Sequence, residues 1–207
     1  PDLTFIATSN AVLMTGAKPI LCDVSLEDWG LDTERVEALI TNKTKAIMPV
    51  HLYGGSANIL TLREISNRNK IHLIEDAAQS IGAYSHGKHL GTFGIAGIFS
   101  FYGNKTVTCG EGGLILTDSD EIAEKIYKFK NYGRSSKGTF IHESIGFNFK
   151  FTEMQAAIGI AQMHKLNKTV EKKDKIHDWY KAELNTDTIF MPLRKNIKPV
   201  HWFNSIK

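Results

Sequence analysis

The residues with the clearest chemical potential are a lysine and an aspartate that each follow a predicted strand. Lys105 stands in the segment 100–106 (SFYGNKT), after an apolar run and before the Gly-Glu-Gly-Gly turn at 110–113. The glycines allow a flat or phosphorylated group to approach the backbone closely. In a dry pocket a lysine amine has a lowered pKa, which makes it a nucleophile for Schiff-base formation. On position alone, an exposed loop lysine remains the alternative.

Asp76 ends the apolar run at 71–76 (IHLIED), so its carboxylate is expected at the carboxyl end of a strand. Taken alone, an acid at a strand end is often the N-cap of the next helix. Together with Lys105 it fits pyridoxal phosphate. That cofactor needs a lysine to hold its aldehyde and a carboxylate to keep the pyridine nitrogen protonated. Since open α/β sheets bind ligands at the carboxyl ends of their strands, we predict this site there.

Three other kinds of site are disfavoured by spacing. In the stretch 103–106 (GNKT) the glycine is not adjacent to the lysine, which excludes a phosphate-binding P-loop. The glycines at 91, 94 and 97 are wrongly spaced for a dinucleotide fingerprint and precede a strand instead of following one. Neither the eight histidines nor the two cysteines have the spacing of zinc ligands, so we expect no metal site.

The composition of the 207 residues is that of a globular protein, with 42% hydrophobic and 23% charged residues. The net charge of +3 is spread along the chain, which argues against a nucleic-acid partner. Two cysteines form no disulfide framework and favour a reducing compartment, the cytoplasm. No apolar run approaches the roughly 20 residues of a membrane span, so no membrane partner is expected.

Short apolar runs alternate with amphipathic stretches in the first two-thirds of the chain. This alternation predicts an α/β fold with a mostly parallel sheet covered by helices on both faces. We predict strands at 19–24, 45–52, 71–76, 95–101 and 113–117, and helices at 32–40 and 59–69.

The last third of the chain is predicted to be mainly helical. A capping box of Asp118 and Glu121 is expected to open a helix to about Asn131, followed by a loop at 133–138.

A second capping box, Thr152 with Gln155, opens a helix that can continue past Leu166 towards Leu184. The polar tract at 167–174 is either part of that helix or a break. After Pro192 the pattern is strand-like again.

Several motifs together resemble the sugar-nucleotide aminotransferases of the DegT/DnrJ/EryC1/StrS family, which are fold-type-I pyridoxal-phosphate enzymes. The segments that carry the resemblance are PDLTFIATSNAVLMTGAKPILCDV, MPVHLYG, IEDAAQSIGA, GTFG, FSFYGNKTVTCGEGG and IGFNFKFTEMQAAIGIAQ, and the resemblance covers essentially the whole chain. The resemblance implies a cofactor-binding large domain at 1–165, without its N-terminal part, and a connecting helix with the start of a truncated small domain at 166–207. It also implies that the family's Ser-Gly-Thr phosphate turn would match positions ahead of Pro1, as expected of a fragment that alone binds the cofactor weakly or not at all.

The resemblance implies a role for each matching residue around the cofactor ring. Lys105 matches the lysine that forms the internal aldimine and carries the proton. Asp76 matches the partner of the pyridinium nitrogen, and Gln79 the neighbour of the phenolic oxygen. His51 and Tyr53 lie at a strand end near the expected site and receive no firm role.

Four further residues match positions at the ring faces and the phosphate. Ala78 and Phe5 match the residues on the two ring faces, with plain core packing as the alternative for both. Ser100 matches a phosphate ligand. Asn148 matches a residue that reaches the cofactor phosphate of the neighbouring subunit, which implies a homodimer with a shared site.

The implied activity is transfer of the amino group of L-glutamate to C4 of a nucleotide-linked 4-keto-6-deoxy sugar. The SFYGNKTVTCGEGG stretch is most similar to the GDP-perosamine synthase branch of the family. Lys105 itself argues against the dehydratase branch, which carries histidine there. The alternatives are an aminotransferase for a C3 keto sugar or a cyclitol, and a non-catalytic remnant that only dimerises. A polysaccharide precursor is the expected kind of product.

Overall fold

The computed structural model describes residues 1–135, 140–184 and 187–206. The predicted loop at 133–138 lies partly outside these residues. The helices are α1 (Ala7–Met14), α2 (Thr33–Leu39), α3 (Ile59–Asn69), α4 (Asp120–Lys130), α5 (Glu153–Met163) and α6 (Leu166–Glu183). The strands are β1 (Ala46–Ile47), β2 (His72–Asp76), β3 (Tyr84–Ser85), β4 (Lys88–His89), β5 (Ala96–Ser100), β6 (Gly113–Leu116) and β7 (Ile197–Lys198).

The main sheet has the strand order β1-β2-β5-β6. The first three strands are parallel, and β6 runs antiparallel to β5. Asp76 at the end of β2 is level with Ile98 of β5, so the carboxyl ends of the two strands lie side by side. The predicted mostly parallel sheet is confirmed, and it places the two candidate segments at one edge.

The two faces of the sheet carry different contacts. Side chains alternate across a strand, and Leu73 of β2 faces a buried core shared with Leu62 of α3 and Val170 of α6. Asp76 lies three positions on from Leu73 and faces the other way. There it meets α1, because the hydroxyl of Thr8 donates a hydrogen bond to its carboxylate.

The C-terminal segment packs back onto the same core. Strand β7 pairs antiparallel with β3, which also pairs with β4 in a second small sheet. Val200 is fully buried, and its amide donates to the carbonyl of Gly54 at 3.0 Å. The backbone approach is so close that a Cβ on Gly54 would lie 1.6 Å from the Val200 carbonyl oxygen. The division at 165/166 stays a prediction.

Two predicted strands differ from the structure. The run 19–24 forms no strand and contributes only an isolated bridge between Val24 and Leu31. Ile20 and Leu21 are 58% and 57% exposed, so this apolar run is not covered by the rest of the described chain. The strand predicted at 45–52 shrinks to β1 because Pro49 has no amide proton for the ladder.

The helical predictions are largely confirmed, with changes at the ends. Helix α3 has the predicted bounds. The cap of α4 is Ser119, whose Oγ accepts from the Ile122 amide, and the prediction of Asp118 was wrong. A serine with β-region backbone serves as well as an aspartate at this position.

The second capping box, Thr152 with Gln155, is present at the start of α5. The long helix divides between Met163 and Leu166, and the polar tract at 167–174 is helical within α6. Among the described residues after Pro192, up to Ile206, β7 is the one strand, and a further bridge joins Phe190 and Ile206.

None of the helices in the described ranges has the length and the apolar character that crossing a membrane requires.

Candidate active site

Lys105 lies in a loop that leaves and rejoins the main sheet at paired residues. Ser100, the last residue of β5, pairs with Gly113, the first residue of β6. The Cys109 amide donates to the Phe101 carbonyl at 2.9 Å and closes the loop above its base. The Lys105 amide donates to the carbonyl three residues earlier at 3.0 Å, which makes a tight turn. The lysine is therefore held close to the carboxyl end of β5.

The side chain of Lys105 is half-buried and lies against an aromatic ring. Burial holds the pKa of its amine below the usual value for lysine, and the negative charge of Asp76 opposes that shift. Lys105 Nζ lies 4.0 Å from the ring centroid of Trp202. The exposed-loop alternative is therefore wrong. A partly desolvated amine is a better nucleophile at neutral pH than an exposed one.

Both carboxylate oxygens of Asp76 accept hydrogen bonds. Oδ2 accepts from the Thr8 hydroxyl at 2.7 Å, and Oδ1 accepts from the Ala78 amide at 3.1 Å. No helix follows Asp76 directly, so it is not an N-cap. Its negative charge opposes the fall in the pKa of Lys105, and the two residues follow the carboxyl ends of the adjacent strands β2 and β5.

Gln79 is buried and holds the backbone beside the site. Its Oε1 accepts from the Tyr53 amide at 2.6 Å. Tyr53 has a positive φ of 51°, which a non-glycine residue adopts at a cost unless other contacts fix it. The centroid of the Tyr53 ring lies 6.4 Å from that of Trp202. By fixing the Tyr53 backbone, Gln79 helps to place an aromatic ring next to the one that covers Lys105.

Glu75, the neighbour of Asp76 on β2, is buried with its Oε2 3.0 Å from His51 Nε2, within hydrogen-bond distance. It also accepts from the amides of Gly91, Phe93 and Gly94, which tie the 91–94 turn to the strand. Burial alone would raise the pKa of Glu75. The hydrogen bond and charge of His51 with the backbone amides outweigh it and lower the pKa. Glu75 is therefore a buried anion that fixes the backbone before Asp76.

Three further residues that the resemblance assigns to the site are Ser100, Phe5 and Ala78. The Ser100 hydroxyl accepts from the Tyr102 amide at 3.3 Å at the base of the loop. Phe5 is 70% exposed, so core packing is excluded for it. It precedes α1, the helix that carries Thr8. Ala78 is partly buried beside Asp76. Their roles towards a cofactor stay predictions.

Asn148 is exposed and lies three residues before Phe151, whose ring is 5.9 Å from that of Phe101 at the base of the lysine loop. Its backbone bridges to Asn131 at the end of α4. Its side chain makes no hydrogen bond within the described ranges. The structure therefore does not join Asn148 to Lys105 or Asp76.

Two contacts of the site were missed in the sequence: Thr8 on Asp76, and Trp202 on Lys105. Each comes from a segment far away in the chain, and neither belongs to a motif with a chemical signature. The aromatic pair Trp202-Phe203 was the one available signal.

No group of three or more His, Cys, Asp or Glu side chains suited to a metal ion occurs among residues 1–135, 140–184 and 187–206.

A family model and several known proteins match this chain. The DegT/DnrJ/EryC1/StrS aminotransferase family model matches residues 1–206. A GDP-perosamine synthase of Escherichia coli O157:H7 is 38% identical over 206 residues, which cover 100% of this chain and 57% of that protein. A GDP-perosamine synthase of Caulobacter vibrioides is 40% identical over 184 residues, which cover 89% of this chain and 50% of that protein.

Solved structures show the same fold. DesV of S. venezuelae, solved in complex with a ketimine intermediate, has a TM-score of 0.94 and 33% identity over 100% of this chain and 56% of its own. A DegT DnrJ EryC1 StrS aminotransferase from Brucella abortus has a TM-score of 0.93 and 30% identity, covering 100% and 57%. The chain thus spans about half the length of the relatives it matches. The chain belongs to the DegT/DnrJ/EryC1/StrS aminotransferase family.

Proposed function

We propose that this protein is a pyridoxal-phosphate-dependent aminotransferase that transfers the amino group of L-glutamate to C4 of a nucleotide-linked 4-keto-6-deoxy sugar. The observation that carries the proposal is the half-buried amine of Lys105 within electrostatic reach of Asp76 at neighbouring strand ends. Relatives named GDP-perosamine synthase support a GDP-linked sugar of this kind as the acceptor.

The residues present fit pyridoxal phosphate. A lysine of lowered pKa is available for the aldehyde, and a carboxylate fixed by two hydrogen bonds is available for the pyridine nitrogen. The Ser100 hydroxyl stands at the base of the same loop for the phosphate. A side chain on Gly110 would meet nothing within 4 Å, so the turn beyond the lysine is open to a ligand.

When bound, the cofactor supplies an electron sink for the bond that breaks at the amino-acid carbon. The chain supplies the proton handling. Lys105 Nζ removes the proton from the α-carbon of glutamate and returns a proton to the sugar carbon that receives nitrogen. Its lowered pKa favours the free base needed for the first of these steps. Asp76, held by Thr8, carries a negative charge that acts on that amine.

A homodimer with a site shared between subunits is part of the proposal. Asn148 is exposed and so free to meet a second chain, as its match in the family implies. Large apolar side chains around it are also exposed, with Ile145 at 86% and Phe149 at 61%. We place the reaction in the cytoplasm, in keeping with the free, buried Cys22 and Cys109.

The test is an amino-transfer assay with a panel of acceptors. The chain is incubated with pyridoxal phosphate, L-glutamate and 4-keto or 3-keto sugars linked to GDP or dTDP, and with a cyclitol ketone. The products 2-oxoglutarate and amino sugar are measured by a coupled assay and by mass spectrometry. We expect a 4-amino sugar from the GDP-linked 4-keto acceptor. Lys105→Ala should give none, while Lys125→Ala, a change at an exposed surface lysine, should leave the rate unchanged.

The same assay on the product of the whole reading frame that contains this segment separates a wrong substrate from an incomplete site. Transfer only to 3-keto or cyclitol acceptors would favour the second aminotransferase alternative. No transfer to any acceptor by the whole product would favour the non-catalytic alternative. Substantial turnover by Lys105→Ala would overturn the role of the lysine.

A further inference from the structure

The indole ring of Trp202 covers the amine of Lys105. Nζ lies 4.0 Å from the ring centroid, and Trp202 is only 8% exposed. An ammonium group over an indole face is attracted to it, and the attraction grows where water is excluded. We infer that Trp202 is a positioning residue for Lys105, whose amine is held over the indole face.

The indole is attached to the backbone that carries the lysine. Its Nε1–H donates to the carbonyl oxygen of Asn104 at 2.7 Å. Asn104 directly precedes Lys105, so the edge of the ring is bonded to the same tight turn whose side chain lies over its face. The ring and the amine therefore keep their relative position when the loop moves.

The second face of the indole is occupied by the next residue. The ring of Phe203 stacks on Trp202 with centroids 3.8 Å apart and planes 22° apart. Two groups that both lie about 4 Å from one ring cannot share a side without colliding. Phe203 and the Lys105 amine thus take opposite faces, and the stacked phenyl ring stops the indole from turning away from the lysine.

The backbone of Trp202 is also fixed to the rest of the molecule. Its carbonyl accepts from Lys173 Nζ of α6 at 3.3 Å. Two residues earlier, the Val200 amide donates to the Gly54 carbonyl at 3.0 Å. The indole therefore stands on a docked segment, and its place over the lysine follows from contacts on both sides.

The use of this contact depends on the proposed function. Whenever the lysine amine is free and protonated, it has to stay where it can return its proton. The indole face and Asp76 favour the charged form at that place, whereas burial disfavours it. The contact itself can be tested with neither cofactor nor turnover.

The experiment labels the lysines of the 207-residue chain by reductive methylation with ¹³C-formaldehyde, which keeps their positive charge. The Lys105 methyl resonance is identified as the one missing from Lys105→Arg. Because the methyl groups lie over the indole face, we expect their protons upfield of the other lysines. Trp202→Phe should keep most of this shift and Trp202→Leu should lose it. Trp179→Leu, a change at an exposed residue of α6, should leave it unchanged.

A pH titration of the same resonance supplies a second readout. Loss of the cation–π attraction in Trp202→Leu should lower the titration midpoint of Lys105 by about 0.5 to 1 pH unit. A wild-type resonance at the position of the other lysines would overturn the inference even if no Trp202 variant folds. A folded Trp202→Leu with an unchanged midpoint would overturn it too. Failed amino transfer with a shifted Lys105 resonance would reject the proposed function alone.

Discussion

The Thr8 hydroxyl donates to Oδ2 of Asp76 over 2.7 Å, although 68 positions separate the two residues in the sequence. Thr8 Oγ1 also lies 3.0 Å from the hydroxyl of Thr4. Since Thr8 gives its one hydroxyl proton to Asp76, a hydrogen bond in that pair needs Thr4 as its donor, and the Thr4 hydroxyl also lies 3.4 Å from the Phe5 carbonyl oxygen. The carboxylate at the end of β2 is thus the acceptor at the end of a short chain of hydroxyl groups.

Removal of this hydrogen bond is expected to weaken cofactor binding. In Thr8→Val the shape is kept but one acceptor on Asp76 loses its protein donor, which costs about 1.5–3 kcal/mol for a bond to a charged group. We expect a loss in pyridoxal phosphate affinity of about 10-fold to 100-fold, measured by absorbance titration. Thr8→Ser should bind normally, as should Thr15→Val, a change at an exposed threonine. Equal affinities for Thr8→Val and the wild type would contradict this role.

Glu75 is expected to stabilise the fold as an anion. A glutamine in its place would turn an NH₂ group towards backbone amides that now donate to a carboxylate. We expect Glu75→Gln to lower the free energy of unfolding in urea by about 3 kcal/mol at pH 7. The exposed Glu64→Gln should change it little.

The pH dependence of this effect has a definite sign. Because the pKa of Glu75 is lowered in the folded state, its contribution is present above the ordinary glutamate pKa and is lost as the pH falls below it. The wild type should therefore lose more stability than Glu75→Gln on acidification below about pH 4.3. Parallel losses in the two proteins would show that the anion contributes nothing.

The sequence predicts well those elements that are decided by a local pattern. Helix α3 and strands β2 and β5 were found within a residue at each end, because each is an apolar run or face between clear boundaries. The run at 19–24 has the same local pattern and forms no strand. Whether an apolar run becomes a strand depends on a neighbour to pair with, and the run itself does not contain that information.

Some residues of the candidate site could likewise be predicted from the sequence, and others could not. Asp76 and Lys105 could be predicted because both follow strands, and parallel strands bring their carboxyl ends together. Thr8 and Trp202 could not, since each reaches the site through folding of a remote segment. A threonine in an N-terminal helix and a tryptophan near the C-terminus have many uses, and only the tertiary structure selects these.

His201 is expected to make the protein sensitive to mild acid. Its ring stacks on His177 with centroids 3.7 Å apart and planes 6° apart. Burial and the neighbouring charge of His177 lower the pKa of His201 to about 4, a shift that Asp178 opposes and Lys181 supports. Asp174 also faces it at 3.9 Å. The folded state therefore disfavours the protonated ring.

The sign follows from where the proton binds. Between about pH 6.5 and 4 the unfolded chain binds a proton at His201 and the folded chain does not. The free energy of unfolding therefore falls as the pH falls through this window. The loss is at most about 3 kcal/mol and ends near pH 4. Urea unfolding between pH 7 and 4 should show a smaller loss for His201→Gln than for the wild type. The exposed His164→Gln should behave as wild type, and equal losses in all three would refute the assignment.

Gly54 is expected to tolerate no side chain. Its φ is +90°, and a Cβ would lie 1.6 Å from the carbonyl oxygen of Val200. Gly87 offers a matched control, since its φ is +77° but a Cβ there would meet nothing within 4 Å. We expect Gly87→Ala to cost about 1 kcal/mol of unfolding free energy and Gly54→Ala at least about 3 kcal/mol. Similar costs would mean that backbone strain alone, without the clash, sets the effect.

The pairing of Ser100 with Gly113 links the lysine loop firmly to the sheet. The Ser100 hydroxyl, the Lys105 amine and the glycine turn all belong to one loop. The residues at the two ends of this loop, Ser100 and Gly113, pair with each other. A displacement of this loop therefore acts on β5 and β6 together, and it carries Ser100 and Lys105 with it.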